Sequence, residues 1–248
     1  MKELLAIDVG NTNVKYGLFL KGKLSKTWSH PTADTALACV DALKKCSAPV
    51  AIASVVPAAG ELIKAAAEKR LLLEVTGSNQ GILSNMAAEM GADRVADAVA
   101  AWVLHGGANK AVLAFSFGTA STALAINASG EVIGGWIMPG MSAQLRSMHE
   151  QCALLPLLSM DKPSLQLGVD TETHMRNGVF VGNLGAAREW LKAASRQLSA
   201  KPVSVATGGW ASTLQQYGKV FDHVDTSLTL KGIHLIASRS AARKRKRP

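Results

Sequence analysis

The sequence is poor in the features that mark several protein classes. Its 248 residues include three cysteines, Cys39, Cys46 and Cys152, an odd number without metal-ligand spacing. That pattern points to reduced thiols rather than a disulfide framework. Aromatic residues make up 5% of the chain, too few for the interleaved aromatic and basic surface of a single-strand nucleic-acid binder. No apolar run approaches the ~18 residues of a membrane span, and the opening stretch meets Asp8 too early for a secretory signal. Charged residues are 18% against 48% hydrophobic, so disorder is excluded except at the ends. The chain has no Gly-x-Gly-x-x-Gly at a strand–helix junction and no Walker lysine, which removes support for dinucleotide and P-loop readings. The six histidines lack metal-ligand spacing. A soluble, cytoplasmic protein without a membrane partner is expected.

The length suffices for one large domain or two lobes of ~100–130 residues. The net charge is +9, but Arg243, Lys244, Arg245, Lys246 and Arg247 concentrate five positive charges at the end, leaving +4 on the body. Such a run reads as a solvated, frayed tail, and nucleic acid is only a secondary partner hypothesis.

Residues 4–9, 14–20 and 23–28 read as three strands, the first two joined by the turn Gly10-Asn11-Thr12-Asn13. Helical patterns over 35–45 and 60–69 flank an apolar strand at 50–55. Asp93 opens a helix whose Val95, Val99, Trp102 and Val103 share one face. The opening plan then recurs: strands at 111–117, 122–126 and 132–137, with Gly118-Thr119-Ala120-Ser121 as the first turn. Gly10 and Gly118 occupy equivalent places. Residues 178–194 and 230–237 look helical, and 203–207 form a strand ending at Gly208-Gly209. An internal duplication would give two α/β lobes with a cleft. The expected boundaries are 1–107 for the first lobe, 108–238 for the second and 239–248 for a flexible basic tail, with a hinge near Gly106-Gly107.

Asp8-Val9-Gly10-Asn11-Thr12-Asn13-Val14-Lys15 is the most informative stretch. A strand delivers a carboxylate, glycine lets the backbone approach an anion, and a lysine follows on the next strand. Successive amides in such a turn make an anion-binding concavity. The acidic residue fits once Mg²⁺ is supposed, held by Asp8 through water while amides and Lys15 hold phosphate oxygens. An ordinary hairpin turn is the competing explanation. In Gly91-Ala92-Asp93-Arg94, Asp93 is either a helix N-cap or a general base for a substrate hydroxyl, with Arg94 gripping an anionic part of the substrate. A helix start would help keep that carboxylate ionised.

Taken in order, these motifs resemble the type III pantothenate kinase family of the actin-like, sugar-kinase and heat-shock ATPase superfamily. Asp8 to Lys15 is similar to its first phosphate motif, Ser54-Val55-Val56-Pro57 to a strand-end motif, and Gly91 to Arg94 to its substrate and catalytic motif. Gly118-Thr119-Ala120 resembles the second phosphate motif, Gly134 to Gly140 the segment after it, and Thr171 with Met175 and Gly178 the substrate threonine segment. Thr207-Gly208-Gly209, His223-Val224-Asp225 and Leu228-Thr229-Leu230-Lys231-Gly232 close the pattern. The resemblance implies an α/β fold of two duplicated actin-like (ribonuclease H-like) lobes with a central cleft. It also implies ATP-dependent phosphorylation of the primary hydroxyl of pantothenate to 4′-phosphopantothenate, the first step towards coenzyme A. On that reading Asp8, Val9, Gly10, Asn11, Thr12, Asn13, Val14, Lys15 and Thr119 hold ATP. Asp93 is the proton acceptor, and Gly91, Ala92, Arg94 and Thr171 contact pantothenate beside it. A homodimer, Mg²⁺ and a monovalent cation, K⁺ or NH₄⁺, are implied as well.

Two departures stand out. The family's second phosphate motif begins with an aspartate that binds the monovalent cation, and Ser116 stands there instead, which predicts weak or absent potassium dependence. Upstream of Gly91, Ser84 and Ala87 occupy the places of a substrate-contacting tyrosine and a proline. These departures and the basic tail motivate an alternative, a catalytically weakened homologue acting as a nucleotide-binding or regulatory, transcription-accessory protein. A kinase for another small hydroxylated acid is a third reading. Trp136 and Trp210 are expected to pack against the core or an interface rather than stack on adenine.

Overall fold

The computed structural model describes residues 2–106 and 109–245, and the chain forms two compact units. The first comprises residues 1–107, 130–132 and 227–248, the second 108–129 and 133–226.

The first unit is built on β1 (Glu3–Val9), β2 (Asn13–Leu20), β3 (Lys23–Pro31), β4 (Val50–Ser54) and β5 (Leu71–Glu74), in the sheet order β3-β2-β1-β4-β5. The first three strands pair antiparallel, while β4 and β5 continue the sheet in parallel. Helices α1 (Thr35–Lys44) and α2 (Pro57–Ala67) join the parallel members. Pro57 opens α2, where a missing amide costs nothing; the expected start at residue 60 is therefore three residues late.

Strand alternation divides the residues of β1 between two faces. Leu5, Ile7 and Val9 join Val14, Tyr16, Ile52 and Ile63 in a core with α1 and α2. Leu4, Ala6 and Asp8 point the other way, towards the side of β1 and β4 covered by α3 (Ala92–Ala101) and the long α7 (Leu228–Arg245). Two expectations fail here. Residues 227–238 do not belong with the second unit, because Ile233, Ile236 and Ala237 of α7 bury themselves in the first. The tail from 239 does not fray at once, since α7 continues to Arg245; Lys246 and Arg247 lie outside the described residues, as does Gly107 of the expected hinge. α3 also ends earlier than its apolar face suggested. It passes into a π-turn over Trp102–Gly106 that leaves Val103 37% exposed.

The second unit repeats the plan. Its strands β6 (Val112–Phe117), β7 (Ala120–Ile126), β8 (Val132–Pro139), β9 (Val203–Thr207) and β10 (His223–Val224) run in the order β8-β7-β6-β9-β10. This is the first sheet again, strand for strand, with β6–β7 antiparallel and β6–β9 and β9–β10 parallel. Its helices are α4 (Met141–Gln151), α5 (Thr171–Gln197) and α6 (Ala211–Gly218). α5 starts seven residues before the expected 178, at a capping box in which Asp170 accepts from the Thr173 amide at 2.8 Å. Phe115, Phe117, Phe180, Met141 and Leu145 form the core, with Trp136 and Trp210 packed against it. Among the described residues no helix is long and apolar enough to cross a membrane.

Candidate active site

The first unit brings together the charged residues singled out in the sequence. Asp8 is the penultimate residue of β1 and stands directly across the antiparallel ladder from Lys15 of β2. Between them the turn is closed by the Gly10 amide donating to the Asn13 carbonyl at 3.1 Å. It is braced from outside by Thr32, whose hydroxyl donates to the Gly10 carbonyl at 2.7 Å and whose amide donates to the Thr12 carbonyl. The Gly10 amide is thus used within the turn, while the side chains of Asn11, Thr12 and Asn13 remain exposed.

Asp8 itself is 7% exposed. Burial pushes its carboxyl up to about 7 from an ordinary 3.8; Lys15 opposes this and the negative charge of Asp93 adds to it. A buried carboxylate this costly to ionise is the kind of group a cation relieves. Among the described residues no cluster of three or more His, Cys, Asp or Glu could cage a metal. The donor set fits Mg²⁺ held through one carboxylate, with its remaining ligands coming from water and phosphate, rather than an all-protein site.

Asp93 is not the N-cap of α3. Gly91 takes that position without a side-chain cap, and Asp93 is the second helical residue. Its Oδ1 accepts from the Arg94 amide at 2.7 Å, which turns the carboxylate back over the helix start. A Cβ on Gly91 would lie 2.8 Å from that oxygen, so glycine leaves the space the carboxylate occupies. Arg94 is half-buried, and its Nε is enclosed without a hydrogen-bond partner. A buried donor left unpaired in this way is costly.

One member of the group carries no role in the sequence reading. Asp97, one turn beyond Asp93, is 5% exposed, and burial raises its carboxyl well above the usual range. The charges of Asp93 and Asp8 act in the same direction, while a hydrogen bond from Thr229 and the charge of Lys15 oppose it. The available signal is an aspartate four residues after Asp93 in a run otherwise of alanine and valine.

The remaining candidates belong to the second unit. Gly118 closes its turn by donating to the Ala120 carbonyl at 3.0 Å, and Thr119 beside it is exposed. Ser116 lies on β6 in register with Thr122 of β7 and Thr207 of β9, a row of three hydroxyl residues without a carboxylate. Thr171 is the exposed first residue of α5. Ser84, in the first unit, is bound through its backbone, donating to the Gly130 carbonyl at 2.9 Å and accepting from Val132 at 3.0 Å.

The chain is similar to known proteins over most of its length. The sequence model of one family, type III pantothenate kinase, matches residues 4–193. A type III pantothenate kinase of Bacillus cytotoxicus is 30% identical over 256 residues, covering 96% of this chain and 97% of that one. Among solved structures, a conserved Baf family protein of Campylobacter jejuni, provisionally assigned as a transcriptional activator, aligns with a TM-score of 0.58 at 19% identity. That alignment covers 96% of this chain and 99% of the other. The activator of 2-hydroxyisocaproyl-CoA dehydratase from Clostridium difficile, with bound ADPNP, aligns with a TM-score of 0.55 at 10% identity, over 99% and 98% of the two chains. The fold is that of the actin-like ATPases and sugar kinases.

Proposed function

The chain belongs to the type III pantothenate kinase family, and we propose that Asp8, Lys15, Asp93 and Arg94 of its first unit carry out that family's reaction. The protein is an ATP-dependent kinase that phosphorylates pantothenate to 4′-phosphopantothenate on the way to coenzyme A. Phosphoryl transfer asks mainly for alignment and neutralised charge. Lys15 and the 10–13 turn would hold phosphate oxygens, and Asp8 would hold Mg²⁺, which when bound would neutralise charge on the transferring phosphoryl group. Asp93 accepts the proton of the attacking hydroxyl, and the half-buried Arg94 guanidinium takes an acceptor on pantothenate, whose carboxylate is the natural choice. Gly91 and Ala92 stand beside Asp93 at the start of the same helix, and the resemblance of their segments to family motifs supports Thr119 as an ATP contact and Thr171 as a pantothenate contact.

The observation that carries this reading is the buried Asp8 opposite Lys15, within the electrostatic reach of Asp93. Incubation with ATP, Mg²⁺ and pantothenate should yield 4′-phosphopantothenate, and Asp93→Asn should reduce turnover by at least about 10²-fold. Unchanged turnover in that variant would remove Asp93 from its role.

The hydroxyl row at Ser116 supports a monovalent-cation requirement weaker than an aspartate there would give. A homodimer is supported by the bare apolar side chains of the second unit, with Leu154, Leu167 and Val169 each at least 90% exposed. A kinase drawing on the cell's ATP belongs in the cytoplasm.

A further inference from the structure

Helix α7 is the element shared by both halves of the candidate site: it packs against α3, which carries Asp93, and against β1, which carries Asp8. Its seat on α3 is unusually close. A Cβ on Gly232 would fall on the Ala96 carbonyl oxygen, so the two backbones meet with no side chain between them. At the next residue of α3 the contact turns polar. The Thr229 hydroxyl donates to Asp97 Oδ1 at 2.7 Å, in surroundings where Ala96, Ala98, Val99 and Ala100 are fully buried. On β2, Gly17 admits Leu230 of α7, whose side chain would lie 3.1 Å from a Cβ there. A buried carboxyl oxygen that loses its donor is left with the full cost of its desolvation, which helix movement would relieve.

We propose that Asp97 and Thr229 form a buried latch that fixes α7 against the helix carrying Asp93, making Asp97 a positioning residue for phosphoryl transfer. The inference rests on the site reading above. The charged groups facing Asp97 are Asp93 on its own helix, Asp8 on β1 and Lys15 on β2. Asp97 touches neither nucleotide nor pantothenate in this scheme. Its oxygen serves as the acceptor for Thr229, a task an amide oxygen performs equally well.

The test uses the 248-residue chain and three variants. Thr229→Val keeps the shape and removes the donor; Thr229→Ser keeps the donor; Asp97→Asn keeps the acceptor and removes the charge. Turnover and KM are measured alongside hydrogen–deuterium exchange of the first turn of α3. Thr229→Val should lower kcat by about ten- to a hundredfold with KM for ATP nearly unchanged, since a small displacement of the reacting groups is enough for such a loss. The amides of residues 93–95 should exchange faster in that variant. Thr229→Ser and Asp97→Asn should retain most of the wild-type kcat and protection. Wild-type kcat and exchange in Thr229→Val would overturn the latch. A loss in Asp97→Asn as large as in Asp93→Asn would also overturn it, by making Asp97 a participant in the chemistry. If Thr229→Val does not fold, Thr229→Ala serves in its place with the same expectations. If the wild-type protein fails to phosphorylate pantothenate, the functional reading falls, while the exchange measurement still decides whether the latch exists.

Discussion

Replacing Asp8 by asparagine should make the protein more stable, and more so the higher the pH. The folded protein holds the Asp8 proton up to about pH 7, whereas the unfolded chain releases it near 3.8. A raised folded value means that the stabilising contribution is complete below the unfolded value and is lost as pH climbs through the folded one. At ~1.36 kcal/mol per unit, the raised value leaves the native state about 4 kcal/mol less stable at pH 8, and about 1.7 kcal/mol less stable at pH 5, than a carboxyl that kept its unfolded value. The amide of the Asp8→Asn variant does not titrate. The stability difference between the two proteins should therefore widen by about 2–3 kcal/mol from pH 5 to pH 8. Over a chain of this size that corresponds to roughly 5–10 °C in melting temperature. Chemical or thermal unfolding of both proteins in EDTA without nucleotide, at four pH values across that range, measures it. A difference that stays flat with pH would refute the claim that burial holds Asp8 protonated, and with it the argument that a cation would relieve this carboxyl. The same variant should lose kinase activity, a stability gained by removing a strained functional group.

Other expectations follow from neighbouring geometry. Gly91→Ala should leave the melting temperature nearly unchanged and lower kcat, because the new methyl displaces the Asp93 carboxylate; steady-state kinetics with a thermal melt distinguishes this from general damage. Ser116→Asp should confer stimulation by K⁺, measured as activity against KCl in sodium-free buffer, and steep activation already present in the wild type would count against the hydroxyl row as the cause. His234 stacks on Phe19 at 4.3 Å, and burial holds its imidazole below the usual 6.5. Its contribution is present above pH 6.5 and is lost as pH falls through the depressed value, so His234→Gln should flatten the acid limb of the stability curve.

The repeated strand plan is legible because it is local. Each meander announces itself through apolar runs broken by Gly10 or Gly118, and the motifs around Asp8 and Asp93 each occupy one short consecutive stretch. What escapes depends on distant partners. α7 has an apolar pattern that fits either half, and its allegiance is decided by contacts with residues far back in the chain, among them Gly232 on Ala96 and Thr229 on Asp97. Asp97 is hidden for the same reason: a lone aspartate in a helix reads as solvent-facing until the element that covers it is known. The beginning of α5 is missed where the apolar pattern fades, although its Asp170–Thr173 capping box is written in the sequence. Asp93 can be read as a cap or as a base, and the backbone of Gly91 decides against the cap.

Because the helix that shields Leu4, Ala6 and Asp8 follows the whole second unit in chain order, the first strands synthesised must wait for that entire unit to be translated before they gain their cover. A nascent or proteolysed chain ending near residue 226 would hold every segment of the later-formed unit, yet leave a greasy flank on the earlier one. Quality control that recognises exposed apolar surface would then discriminate finished molecules from interrupted ones by whether that covering helix has arrived.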